Sequence, residues 1–196
     1  MSAIGTKKKA DRNANDFYET PEWCTRLLLG SMEMPEYAKI VEPCAGHGAI
    51  VDVIRDVCGG DVGIASPHPA ILQYELVHNK KLSGYRMFVD FLLLEEHDAL
   101  ITHVITNPPF SLAREFIEHS LHLYPYAIII MLLPLDYMGS HTRHDFWKKN
   151  PPSEIKVLSD RPSFTGKGTA ASNYAWFHWR TNPEKPISFL SRGDLK

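Results

Sequence analysis

The stretch Thr106-Asn107-Pro108-Pro109-Phe110 constrains this chain more than any other. It follows the apolar run Ile101 to Ile105 and precedes a helical pattern that starts near Ser111, so it reads as a buried strand turning into a helix. Two consecutive X–Pro bonds hold Asn107 and Pro108 away from helical dihedrals, and each proline fixes its own φ. The Pro108 carbonyl therefore has a set direction, and Pro109 brings no N–H to compete for a partner. Beside it the Asn107 amide offers one acceptor oxygen and two donor hydrogens. Rigid acceptors at a strand end, next to the flat face of Phe110, suit an amino group held under an aromatic ring. A proline-capped turn with Phe110 in the core fits the same residues, and the tetrapeptide alone leaves both readings open.

The chain of 196 residues is long enough for one well-buried domain. Its 44% hydrophobic content and modest charge predict a soluble protein. Three cysteines, Cys24, Cys44 and Cys58, show neither pairing nor metal-ligand spacing, which predicts a reducing compartment. The longest apolar run, Ala127 to Leu133, is too short to span a bilayer and reads as a central strand. A net charge of -2 argues against a strong, sequence-blind nucleic-acid clamp but allows a local basic surface.

Residues 1–15 are polar, carry Lys7-Lys8-Lys9 and read as a flexible tail. Thr20 is expected to cap a helix with Pro21 at its first position and Trp23, Leu27 and Leu28 inward. Lys39 to Glu42 then reads as a strand, Pro43-Cys44-Ala45-Gly46-His47-Gly48 as a turn, and Ala49 to Val57 as a helix. Strand, glycine turn and helix form the layout of a nucleotide-type cofactor site, though many such turns need glycine for geometry alone; the carboxylate of Glu42 can pair with an ammonium or order the turn. The dinucleotide pattern GxGxxG is absent, because position 51 is Val, so nicotinamide chemistry is disfavoured.

Asp61 to Ala65 is expected as the second strand, ending at Ser66 and followed by a helix to about Asn79. Tyr85 to Val89 leads to Asp90-Phe91, where the carboxylate can accept from a base amino group with the ring against its face, or the ring can belong to the core. Further strands are expected at 155–158 and 174–180, the latter buried on both faces. Arg143 and Lys148 lie in a basic stretch with aromatics between the central strand and the next, and Arg161, Phe164 and Lys167 in the following loop. His119/His122 and His141/His144 are three apart, yet no cysteine or acid cluster completes a metal set.

Together these pieces resemble the class I S-adenosylmethionine-dependent methyltransferases. The likeness is greatest to those acting on adenine N6, and among them to the small stand-alone enzymes common in phages and prophages. It covers roughly Asp16 to Arg180, with Asn107-Pro108-Pro109-Phe110 as its most specific element. Glu42 to Gly48 resembles the family's cofactor loop, Asp16-Phe17-Tyr18-Glu19-Thr20-Pro21 its N-terminal segment, and Asp90-Phe91 its adenine-contacting pair. Arg161-Pro162-Ser163-Phe164 and Tyr174-Ala175-Trp176-Phe177 are also similar to the phage group.

The resemblance implies a Rossmann-like α/β fold: a seven-stranded, mostly parallel sheet with its last strand antiparallel and helices on both faces. One methyltransferase domain would span 16–182, between the tail 1–15 and a polar C-terminal tail 183–196. S-Adenosylmethionine would be held by Tyr18, Thr20, Pro21, Glu42, Pro43, Cys44, Ala45, Gly46, Gly48, Ser66, Asp90 and Phe91. Ser66 departs from the family, which carries an acid for the ribose hydroxyls at that strand end. Asn107, Pro108, Pro109 and Phe110 would be catalytic, while Arg143, Lys148, Arg161, Phe164 and Lys167 would contact the substrate. The implied reaction is methylation of an exocyclic amino group of a nucleic-acid base, adenine N6 in DNA, by a cytoplasmic enzyme that binds no metal and no membrane. Similar tetrapeptides serve enzymes acting on RNA adenine, guanine N2 or protein glutamine, and a non-catalytic binding subunit is the alternative from another class. The N-terminal Phe17-Tyr18 and Thr20-Pro21 favour adenine in DNA.

Overall fold

The computed structural model describes residues 19–59, 70–74, 86–87, 90–95, 99–165, 168–182 and 184–195. The strands are β1 (Lys39–Glu42), β2 (Ala70–Tyr74), β3 (Arg86–Met87), β4 (His103–Thr106), β5 (Ile128–Pro134), β6 (Glu154–Leu158), β7 (Tyr174–Trp179) and β8 (Ile187–Leu190). The helices are α1 (Glu22–Gly30), α2 (Ala49–Cys58), α3 (Ala113–Leu123) and α4 (His144–Lys149). One sheet takes the order β3-β2-β1-β4-β5-β7-β6-β8, parallel from β3 to β5. β7 runs antiparallel to both β5 and β6, and β8 returns parallel to β6.

Side-chain alternation along the central strands divides the core in two. Ile130, Leu132, Tyr174 and Trp176 face α1 and α2, whereas Ile129, Met131, Ala175, Phe177 and Trp179 face α3 and α4. All six residues of β7 are buried, as their two-faced apolar pattern predicts. Trp176 crosses one layer and donates its indole N–H to the Cys24 carbonyl of α1 at 3.0 Å. Arg180, in the left-handed region at φ 65°, donates to the carbonyls of Leu121, Tyr124 and Ala127, filling acceptors that the end of α3 leaves open. No helix among the described residues is long and apolar enough to cross a membrane.

Four expectations are corrected. The strand beside β1 is Ala70–Tyr74, in register from Lys39 opposite Ala70 to Glu42 opposite Gln73, where the sequence suggested a helix. A short apolar run fits either period, and pairing with β1, a contact distant in sequence, decides it. The suggested strand 61–65 and its end at Ser66 lie outside the described residues, and the residue that follows β2 in the chain is Glu75. The segment from 183 onward, expected as a tail, supplies β8 and makes the count eight rather than seven. Pro21, not Thr20, occupies the cap of α1, because the Thr20 hydroxyl is engaged elsewhere. The helix expected from near Ser111 begins at Ala113, behind Leu112 and with no side-chain cap.

Candidate active site at the carboxyl edge of the sheet

In a parallel α/β sheet the loops leaving the strand ends gather on one edge, and ligands bind there. β1, β4, β5 and β6 all end on that edge, and antiparallel β7 begins on it. The two sequence motifs are joined there by one carboxylate. Glu42, only 1% exposed at the end of β1, accepts from the Thr106 hydroxyl at 2.6 Å and from the Cys44 amide at 3.4 Å. It thereby ties the glycine turn to the last residue of β4, one position before Asn107.

The turn itself depends on glycine. Gly46 has φ 51° and Gly48 φ 91°, a region in which a β-carbon is strained. Gly48 stands at the N-cap of α2, and no side chain caps the helix. The Gly48 amide closes the turn on the Ala45 carbonyl at 2.6 Å. Main-chain groups and an uncapped helix start therefore form the surface of the turn, and they fit a ligand that presses against backbone.

Asn107 and Thr20 meet across 87 positions of sequence. The Asn107 amide nitrogen donates to the Thr20 hydroxyl oxygen at 3.0 Å, and the Asn107 oxygen is also out of solvent. The bond ties the side chain at the end of β4 to the segment that leads into α1. Pro108 is buried, and the Pro109 carbonyl accepts from the Leu112 amide at 2.9 Å, folding the tetrapeptide into the start of α3. Phe110 packs on Tyr174 with ring centroids 5.7 Å apart, and Phe164 meets the same ring at 4.9 Å, the planes 62° apart. Tyr174 is thus the piece that sequence reasoning missed: it joins Phe110 to Phe164. Its signal was available, since the first residue of an antiparallel strand must lie at the edge where its parallel neighbours end.

A cleft of about 820 Å³ opens between Thr20-Pro21, the first turns of α1 and α2, and the Ser163–Thr165 loop. Its walls are acidic: Glu19, Glu22, Asp52 and Asp56 outnumber Arg26, which pairs with Glu22 and Asp56. The cations sit elsewhere along the edge. Arg143 lies 4.1 Å above the Tyr137 ring and donates to the Tyr137 carbonyl at 2.8 Å, while Lys148 is exposed on α4. Arg161 is exposed and donates to the Asn173 side-chain oxygen at 2.8 Å.

Asp90 turns inward on its own backbone, accepting from the Leu92 amide at 2.9 Å. Phe91 does not offer its ring to the cleft. It is 2% exposed, stacked parallel on Phe116 at 5.7 Å and meeting His119 edge-on under α3. Burial holds the His119 imidazole below its ordinary pKa. Tyr18, Ser66 and Lys167 lie outside the described residues, and among those described no three His, Cys, Asp or Glu side chains gather to hold a metal.

Comparison of the whole architecture with solved structures returns methyltransferases. A Listeria monocytogenes protein classed as a class I S-adenosylmethionine-dependent methyltransferase aligns with a TM-score of 0.59 at 14% identity, covering 88% of this chain and 65% of that one. The methyltransferase subunit of a type I restriction-modification system from Streptococcus thermophilus aligns at 0.56 and 14%, covering 91% and 48%. The 23S rRNA methyltransferase ErmE aligns at 0.55 and 17%, covering 87% and 71%. This chain has the class I methyltransferase fold. No family model and no curated protein matches its sequence. The chain spans 65% of the first of these structures and about half of the second.

Proposed function

We propose that this protein transfers a methyl group from S-adenosylmethionine to an exocyclic amino group of a nucleic-acid base, adenine N6 in DNA. One observation carries the reading: Asn107-Pro108-Pro109-Phe110 lies at the end of β4, and Glu42 ties that strand end to the glycine turn after β1. The aligned structures include a type I restriction-modification methyltransferase subunit, which supports a nucleic-acid substrate.

The residues on this edge fit the cofactor. The backbone of Glu42 to Gly48, the start of α2 and the Thr20-Pro21 segment would hold it, with Asp90 beside them. S-Adenosylmethionine supplies an activated methyl group on a sulfonium centre. The protein supplies geometry. An adenine amino nitrogen is a poor nucleophile because its lone pair is delocalised into the ring. Hydrogen bonds to the Asn107 oxygen and the Pro108 carbonyl draw it toward a tetrahedral shape with the lone pair free. Methyl transfer would break the carbon–sulfur bond, return its electron pair to sulfur and leave a cationic nitrogen that loses a proton to water, so no strong base is needed and positioning carries the rate. Phe110, backed by Tyr174, lies against the target base once it has left its helix. Arg143, Lys148 and Arg161 hold phosphates, and the acidic wall of Glu19, Glu22, Asp52 and Asp56 repels them. The nucleic acid therefore approaches over the α4 side of the edge.

Mass spectrometry of nucleosides from DNA and RNA incubated with protein and cofactor tests the proposal. N6-methyladenine in DNA is the expected product. A methylated base in RNA alone would move the substrate, and no methylated base in either would favour the non-catalytic reading.

A further inference from the structure

β8 ends the sheet, and its outer side has no neighbour among the described residues. Its hydrogen bonds to β6 fix which groups remain on that side. The Ile155 amide donates to the Pro186 carbonyl at 2.8 Å and the Ser159 amide to the Leu190 carbonyl at 2.7 Å. In a parallel pair, alternate residues of a strand face the same neighbour, so Pro186, Ser188 and Leu190 address β6. The N–H and C=O groups of Ile187 and Phe189 then point outward, an open template for another strand.

The side chains reinforce this. Ile187 is 57% exposed and Phe189 71% exposed, and each stands in register with a half-buried apolar residue of β6, Ile155 and Val157. On this face α4 reaches as far as β7, where Trp147 stacks on Phe177 at 6.0 Å. An apolar strip beside an unpaired strand edge is a contact surface rather than a solvated one.

We infer that β8 pairs antiparallel with β8 of a second copy of this chain, about a two-fold axis passing through Ser188. Outward residues must oppose outward residues, which places the axis through a residue rather than between two. Centred on Ser188, Ile187 of each copy lies opposite Phe189 of the other, and beyond the strand ends exposed Glu184 approaches exposed Arg192, which opens the turn after β8 with its guanidinium 5.5 Å over the Trp23 ring. Centring on Ile187 would set Lys185 against Phe189, and centring on Phe189 would set Ile187 against Ser191. Only the Ser188 axis covers all four apolar side chains and matches the charges at both ends. Such an isologous contact is self-complementary, which singles out a second copy as the occupant. The paired segment is short, so association depends on concentration. The inference is independent of the reaction proposed above.

Sedimentation velocity on the full chain over a concentration series tests it. The mean mass should rise from one chain toward two, and the double variant Ile187→Lys, Phe189→Lys should stay at one chain, with a thermal midpoint equal to that of the parent at the dilute end of the series, where both are single chains. The axis is tested by cross-linking. A non-hydrogen-bonded antiparallel pair sets its Cα atoms about 4.5 Å apart, within disulfide reach. Ser188→Cys should therefore join two chains under mild oxidation, while Phe189→Cys and the parent, with its three cysteines, should not. The inference is overturned if the parent is monomeric throughout, if the lysine variant dimerises, or if the variant melts earlier than the parent at concentrations where both are single chains. It also fails if Phe189→Cys cross-links as readily as Ser188→Cys.

Discussion

Asn107 is half-buried, and the Thr20 hydroxyl holds its amide in one orientation. Removing a preorganised hydrogen bond of this kind lowers a rate by about 10²–10³. Asn107→Ala should show that loss in single-turnover methylation while cofactor affinity, measured by calorimetry, stays near parental. Parental turnover in Asn107→Ala would remove the residue from the mechanism. Thr20 acts through Asn107 and tests the same contact from the other side. Thr20→Val leaves the amide nitrogen without its acceptor, a cost of about 1–3 kcal/mol for a buried group. Turnover should fall and Thr20→Ser should restore it; failure of serine to rescue would mean that the threonine methyl group, not the hydroxyl, is what matters. The donor set at Asn107 was legible in the sequence, because two prolines fix a strand end wherever they occur. Its partner was not. A threonine before a proline is a good cap in isolation, and only the fold shows that its oxygen is claimed by a residue 87 positions away.

At the scale of elements, the β1–α2 turn and the end of β4 move as one because Glu42 bonds to both. Gly48, at φ 91°, tolerates no side chain without strain. Gly48→Val should weaken cofactor binding well before it unfolds the protein, and isothermal titration with a parallel thermal melt separates the two effects. Equal affinity in parent and variant would move the cofactor off this turn. Thr106→Val is the subtler lesion: it leaves Glu42 buried with one donor fewer and so should reduce both cofactor affinity and turnover. The β1 turn was readable from its glycines, whereas β2 was not. Ala70 to Tyr74 carries no pattern that separates a short strand from a helix, and its identity comes from lying against β1. Phe91 marks a similar limit, since an aromatic beside an aspartate looks the same whether it faces a ligand or α3.

For the whole molecule, acid should be more damaging than the net charge suggests. At the edge of the sheet away from the candidate site, His103 and His178 are both nearly sealed from solvent. Burial lowers the His103 pKa to about 4, and burial, then the nearby Lys156 and His103, lowers that of His178 to about 3. Both values lie below the ordinary one near 6.5, so between these limits the unfolded chain binds protons that the folded chain does not. Stability is complete above about pH 6.5 and drains away as pH falls toward 4 and then 3, by up to roughly 1.4 kcal/mol per pH unit for each histidine. Urea titrations between pH 7 and 4.5 should show this slope, and His178→Gln should flatten it by about one proton's share; an unaltered slope would clear His178. The alternation that makes β7 a two-faced strand was plain in the sequence, yet the same reading dismissed β8, because two of its four residues look outward into solvent. The reversal of β7 also has an evolutionary meaning. A β6–β7 hairpin anchored on both sides has its connecting loop between Leu158 and Tyr174 at the edge that carries the candidate site, with Ser163–Thr165 lining the cleft. Lengthening that loop costs little, because closure entropy grows only logarithmically with length. New substrate preferences can thus be acquired by insertion between residues 159 and 173, while the sheet, the glycine turn and Asn107 stay as they are.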